Sequence, residues 1–117
     1  MTNDLIAELI GYLSTQNPAL PVCSEVPANR PTSFATVEPA GGTEDMFVQR
    51  QLVTVTAYEQ SDYAASVLLH SLIDQLIAAP DALDLVCVVS VQSTYRAGLE
   101  DSTDGWAATI FVLANKI

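Results

Sequence analysis

Residues Val26–Tyr58, VPANRPTSFATVEPAGGTEDMFVQRQLVTVTAY, decide how the rest of the chain must fold. Asn29, Arg30 and Pro31 form a stiff corner, because proline fixes its own backbone angle and pushes the residue ahead of it toward extended geometry. Two runs of β-type residues follow, Ser33–Glu38 and Gln51–Tyr58. Alternation in the second puts Val53, Val55 and Ala57 on one face and Leu52, Thr54, Thr56 and Tyr58 on the other. Between the runs, residues 39–50 have turn chemistry of their own: Gly41 and Gly42, an acidic start at Glu44 and Asp45, then Met46 and Phe47, with Arg50 leading into the second strand. The pattern predicts a hairpin with an unusually long tip. A monomer gains nothing by exposing Met46 and Phe47, so the tip is expected to touch another subunit. Serine at both positions should spare folding and impair assembly.

Ahead of this hairpin, Leu5, Ile6, Leu9, Ile10 and Leu13 recur at helical spacing, with Thr2 or Asn3 as cap and Asp4 near the positive helix end. The helix should stop before Asn17-Pro18, and Val22–Val26 can add a short strand. Behind the hairpin, Ser61 and Asp62 supply N-cap chemistry for a second helix to about Ala79, ended by Pro80, with Ala64, Val67, Leu68, Leu72, Leu76 and Ile77 as its apolar stripe. Leu85–Tyr95 and Trp106–Ala114 then read as a second hairpin around RAGLEDSTDG, with Leu85, Cys87, Val89 and Val91 on one face and Val86 and Val88 opposite. The last strand is apolar on both sides: Trp106, Ala108, Ile110 and Val112 against Ala107, Phe111 and Leu113. Such a strand must be covered twice. Two helices cover one face of a four-stranded sheet, so part of the second face is expected to be buried by another chain.

The chain has 117 residues, half of them apolar, which suits one compact domain, 1–117, burying about two thirds of its unfolded surface. Fourteen acidic residues stand against four basic ones, and a net charge of −10 opposes attraction to nucleic acid or to anionic membrane surfaces. The acids cluster around Glu44 and Asp45, Asp81 and Asp84, and Glu100, Asp101 and Asp104, all in expected loops. Cys23 and Cys87 have neither CxxC nor metal-ligand spacing, so two reduced, mostly buried thiols are expected. MTNDLIAELIGYL has no basic leader region, and no apolar run approaches the roughly 20 residues of a membrane span. A soluble protein made in the cytosol is expected.

Chemistry is thinly represented. The only histidine, His70, has Asp74 one helical turn on, but a metal site needs three or four ligands, so His70 reads as a surface or boundary residue. No GxSxG, HExxH, GxGxxG or GxxxxGKS pattern is present. Carboxylate pairs such as Glu44 with Asp45, or Asp101 with Asp104, lie in wet acidic loops where nothing raises one pKa selectively. DSTDG lacks the spacing of a calcium loop. Expected, therefore, are no catalytic residues, no cofactor and no metal. Arg30 has two readings: a guanidinium paired with a neighbouring subunit's carboxylate, or a solvated arginine in a corner.

VPANRP, the Phe34–Val37 strand start, the Gly41-Gly42 turn and the VTVTAY strand running into an alanine-rich helix together resemble the tail terminator proteins of long-tailed bacteriophages. The small versions from phages and prophages of actinobacteria are the most similar. The likeness covers nearly the whole chain in element order and Val26–Leu69 at residue level. The chain departs from that pattern at Arg50, where an acid often precedes the second strand, and at Ala57-Tyr58, where a tryptophan is common. The resemblance implies a ring, commonly a hexamer, that docks on the head-proximal end of the tail tube, stops its polymerisation and presents a surface to head-completion proteins. Partners would be sister copies, the major tail tube protein and a head-completion or neck protein, with DNA passing through the bore unbound and no membrane. The candidate contact residues are Arg30, Pro31, Gly41, Gly42, Glu44, Asp45, Met46, Phe47 and Arg50, together with the last strand. The acidic loops are expected to line part of the bore, where like charge lets DNA slide.

The sequence thus predicts an α+β fold of order α-β-β-α-β-β: four or five strands in a mostly antiparallel or mixed sheet, with two helices on one face. The expected role is a structural virion protein at the head-proximal end of the tail, and not an enzyme. The alternatives are another neck or head–tail connector ring protein, or a small cytosolic α+β domain that binds a ligand or acts as an enzyme.

Overall fold

A computed structural model describes residues 2–28, 31–44, 48–83, 86–99 and 103–115; the side chains of residues 2–4 and 44 are not among those described. Chain order is α1 (Thr2–Gln16), β1 (Val22–Cys23), β2 (Phe34–Glu44), β3 (Val48–Glu59), α2 (Asp62–Ile77), α3 (Ala79–Ala82), β4 (Val86–Arg96) and β5 (Asp104–Asn115). The strands form one sheet in the order β1-β2-β3-β5-β4. β1 lies parallel to β2, and every other neighbouring pair is antiparallel. The expected α+β architecture is therefore present, with the short first strand making the sheet mixed. A strand of 11 or 12 residues spans about 36–40 Å, which sets the long dimension of the 43 × 25 × 24 Å molecule.

One face of the sheet is the core. Ala35 and Val37 of β2, Val53, Val55 and Ala57 of β3, and Ala108, Ile110 and Val112 of β5 are all fully buried against Leu9 and Leu13 of α1 and Leu69, Leu72 and Leu76 of α2. α1 keeps the expected stripe, with Leu5, Ile6, Leu9 and Leu13 buried and Ile10 packed at the margin. Its expected cap at Thr2 or Asn3 involves side chains outside those described. Its far end is closed by Asn17, whose amide donates to the Leu13 carbonyl at 2.8 Å and exchanges hydrogen bonds with the Gln75 amide of α2 at 2.6 and 3.1 Å. The Tyr12 hydroxyl donates to the Gln75 carbonyl at 2.7 Å. These bonds join the two helices end to end where apolar packing thins.

α2 starts where expected, with the Ser61 hydroxyl accepting from the Ala64 amide at 3.1 Å. Its buried stripe differs from the sequence expectation. Ala65, Leu69, Leu72, Ile73 and Leu76 face the sheet, whereas Val67 and Ile77 are 52% exposed and Ala64 and Leu68 are half-buried. Aliphatic residues occupy both sides of this helix, so periodicity leaves its rotation open; Asp62 settles it. Its carboxylate is tied to Trp106 and Arg96 on the core side of the sheet, and positions 65, 69, 72 and 76 follow it at helical spacing. The helix also ends sooner, at Ile77, and Pro80 sits in the first turn of α3 instead of terminating α2.

The hairpin tip is another correction. Gly41, Gly42, Thr43 and Glu44 pair with Leu52, Gln51, Arg50 and Gln49, so most of the expected loop is sheet. A register shift between Pro39 and Gly41 absorbs one extra residue, and the ladder continues past the turn-like residues. Gly41 and Gly42 have φ of 112° and 156°. A Cβ on Gly42 would stand 2.3 Å from the Arg50 carbonyl oxygen, so the strands approach this closely only because that residue is glycine.

The second hairpin has the expected strands, but two register shifts, at Val86/Val88 and Val91/Ser93, change which residues face inward. Val86 and Val89 are buried and Val91 half-buried on the core side, whereas Cys87, left out of the ladder, is exposed. The expectation of two mostly buried thiols is corrected accordingly: Cys23 is half-buried, Cys87 exposed, and neither is in a disulfide. Three of the acids assigned to loops lie in regular elements: Glu44 in β2, Asp81 in α3 and Asp104 in β5. Asp45, Asp84, Glu100 and Asp101 fall outside the described residues.

Candidate functional site

The second face of the sheet divides into a closed end and an open band. At the closed end Phe34, Thr36, Thr56, Tyr58 and Ala107 are buried by the chain itself, and the Phe34 and Tyr58 rings stack with centroids 4.6 Å apart and planes 20° from parallel. The Thr36 hydroxyl is buried there without a hydrogen-bond partner among the described residues. Beyond it, Leu52 opposes Phe111 and Arg50 opposes Leu113 across β3 and β5. Leu52, Phe111 and Leu113 are only half-buried, and Val88 beside them on β4 is 47% exposed. Both described helices of seven residues or more pack on the other face, so this band has no helix over it.

Two sheet edges border the band. β1 pairs only with Ala35 and Thr36, so β2 from Val37 onward has no strand on its outer side among the described residues; nor does β4 along its whole length. The Ala35 N–H points outward, to the Pro21 carbonyl at 3.0 Å. Alternation then aims the nitrogen of Pro39 outward too, where the subunit's own sheet loses no bond by its lacking a hydrogen. On β4, Val88 and Tyr95 are 47% and 42% exposed.

The expected contact residues are dispersed relative to this surface. Gly41 and Gly42 are strand residues whose described role is backbone geometry, Pro31 is half-buried, and Arg50 is exposed on the open side. Glu44 pairs with Gln49 through the backbone, its side chain being outside those described. Arg30, Asp45, Met46 and Phe47 lie outside the described residues. Of the expected patches, the outward side of the last strand falls among the described residues, and the fold leaves it half-covered. Val88 lies on the second face, as its alternation with Val89 and Val91 predicts, whereas Tyr95 was missed because the bulge between Val91 and Ser93 shifts the alternation ahead of it. Tyr63, Val67 and Ile77 were missed because α2 is rotated; they form an outer stripe, and Tyr63 and Val67 line an open groove with Glu59, Ala64, Leu68 and Ser71.

Polar chemistry concentrates at Asp62. Arg96 Nε lies 2.8 Å from Oδ1, Arg96 Nη2 donates to Oδ2 at 3.1 Å, and Trp106 Nε1 donates to Oδ1 at 2.9 Å. The Arg96 hydrogen bond, then that from Trp106, hold the carboxyl below its usual range. With both oxygens engaged, Asp62 serves as an ionised anchor for the helix start, not as a proton acceptor. His70 is exposed on α2, one ring nitrogen 2.8 Å from the Ser66 carbonyl. Among the described residues no three His, Cys, Asp or Glu side chains are grouped to hold a metal ion, and no helix is long and apolar enough to cross a membrane. A scan against protein-family models and a search of curated proteins each return no match to this chain.

Proposed function

We propose that this protein is a structural component of a phage virion: a tail terminator whose copies form a ring on the head-proximal end of the tail tube, end its growth and offer a surface for head joining. The observation that carries this reading is the open band of Leu52, Phe111, Leu113 and Val88, an apolar sheet surface left uncovered by the protein's own helices. Apolar surface rimmed by polar residues marks an interaction site, and a closed head-to-tail ring needs two different, mutually fitting patches on each subunit. The resemblance of Val26–Leu69 to tail terminators supports the specific role.

In this reading the subunit folds without its partner. The accessible surface, 6278 Å², is close to the roughly 6,200 Å² of a compact monomer of this mass. Subunits thus fold first and associate afterwards, on the tube or in solution. In this reading six copies surround a bore through which DNA passes without binding, the contacts being the tube protein below and a head-completion protein above. The protein is made in the host cytoplasm and ends in the virion, with no enzymatic role. The neighbouring reading is a different neck or connector ring.

Electron microscopy of particles lacking this protein separates the two readings. Tails of uncontrolled length are expected for a terminator. Tails of normal length that fail to join heads would assign it to the connector. A strict monomer carrying a small-molecule ligand would instead place it among ligand-binding or enzymatic domains.

A further inference from the structure

The two uncovered sheet edges match each other. In an order β1-β2-β3-β5-β4, β2 and β4 run in opposite directions, so a second copy laid beside the first in the same orientation brings its β2 antiparallel to β4. Each edge has one irregularity in mid-strand: between Val91 and Ser93 on β4, and between Pro39 and Gly41 on β2. A bulge shifts which residues face which side, and an ordinary partner strand therefore falls out of step across it. Two bulges at the same level cancel.

We propose that β4 of one copy pairs with β2 of the next, Val88 opposite Thr43, Ser90 opposite Gly41 and Ser93 opposite Glu38 on the open face, with Val89 opposite Gly42 and Thr94 opposite Val37 on the helix face. In this register Val91-Gln92 meets Pro39-Ala40, so the two mid-strand extra residues fall together and every other pair from Val88 to Thr94 shares a face; the second bulge of β4, at Cys87, falls at the end of the pairing. A slip of two residues one way sets Ser90 against Pro39, a residue of the helix face; a slip of two the other way, Ser90 opposite Thr43, also keeps the faces matched and is separated from the proposed register by cross-linking. Charge favours the same match. β4 contains no carboxylate, its Arg96 being paired with Asp62 of the same subunit, whereas β2 contains Glu38 and Glu44, in a chain of net charge −10. β2 against β2 would bring two acidic edges together; β4 against β4 also passes its own bulge in step, but leaves the acidic edge unused. The pairing continues the sheet from copy to copy and joins their open bands into one surface. Closure into a ring rests on the proposed function; the pairing itself does not.

Engineered cysteines test it. Directly opposed residues in an antiparallel pair are about 4.5–5.5 Å apart at Cα, within disulfide reach. In a Cys23→Ser, Cys87→Ser background, Thr43→Cys with Val88→Cys is expected to give, on mild oxidation, a ladder of linked multimers ending at the mass of the ring seen by native mass spectrometry. Both sites are exposed, so the fold should tolerate the changes. Val88→Lys, made alone, should abolish assembly with the thermal midpoint unchanged. Dimers only, from Val88→Cys with Tyr95→Cys, would mean that β4 pairs with itself and would overturn the proposal. A ring that forms with neither the Thr43-to-Val88 link nor, in a Thr43→Cys, Ser90→Cys chain, the link of the register two residues away overturns the edge pairing and leaves the ring reading standing. An open-ended ladder with no closed species does the reverse. Monomers without any cross-link at millimolar concentration overturn the pairing.

Discussion

The two faces of this sheet draw on the same strands and nearly the same residue types, yet only one is finished. On the helix face, every aliphatic side chain from Val53 to Ala57 and from Ala108 to Val112 is buried by α1 and α2. On the other face Phe34 and Tyr58 are closed off at one end, while Leu52, Phe111 and Leu113 are half-covered. The difference separates two uses of apolar surface. One face stabilises the subunit, and the other remains available for association.

Leu72→Ala and Leu52→Ala measure that separation most directly. Leu72 is fully buried, so its truncation should cost about 2–5 kcal/mol in denaturant unfolding. Leu52, half-covered on the open face, should cost less than about 1.5 kcal/mol in the monomer, a loss that grows on assembly. Equal costs would mean that the open face already serves as core.

Gly42→Ala tests whether the long hairpin really zips to Glu44. The added Cβ would meet the Arg50 carbonyl oxygen at 2.3 Å, so a loss of about 1–3 kcal/mol is expected; a mobile tip would absorb the methyl group without effect. Thr36→Val should move the other way. It removes a buried hydroxyl without a partner among the described residues while keeping the shape, for a gain of up to about 1 kcal/mol in thermal or urea unfolding.

The smallest effect concerns the anchor of α2. The Asp62 carboxyl titrates below its ordinary 3.8 in the folded protein, so its ionised form is favoured by folding. The stability it contributes is fully present above 3.8 and fades as pH falls through the lower folded value. Asp62→Asn should therefore lower the unfolding midpoint modestly at pH 7, with the gap to the parent closing in strong acid. The single tryptophan, Trp106, donates to Asp62, so its fluorescence should shift in the variant. A gap independent of pH would assign the effect to packing.

Local chemistry made much of this fold legible. The breaks at Asn17-Pro18 and Ser61-Asp62 are written in residues that act on their own neighbours, and so is the alternation of Val53, Val55 and Ala57. The doubly apolar last strand pointed to the open face for the same reason: a period of two is intrinsic to a strand. The rotation of α2 was not legible, because its aliphatic residues allow two stripes and the choice depends on Arg96 and Trp106, which lie 34 and 44 residues from Asp62 in the chain. The bulges at Cys87, Gln92 and Ala40 were hidden likewise, since an extra residue in a ladder exists only relative to its partner strand. With them went the exposure of Cys87 and Tyr95 and the shortness of the hairpin tip. By itself, then, the sequence determined the order of the main helices and strands and that one strand is apolar on both sides. Tertiary structure alone decided which side α2 and the far part of β4 present and how far the strands pair, because those outcomes depend on contacts between residues remote in sequence.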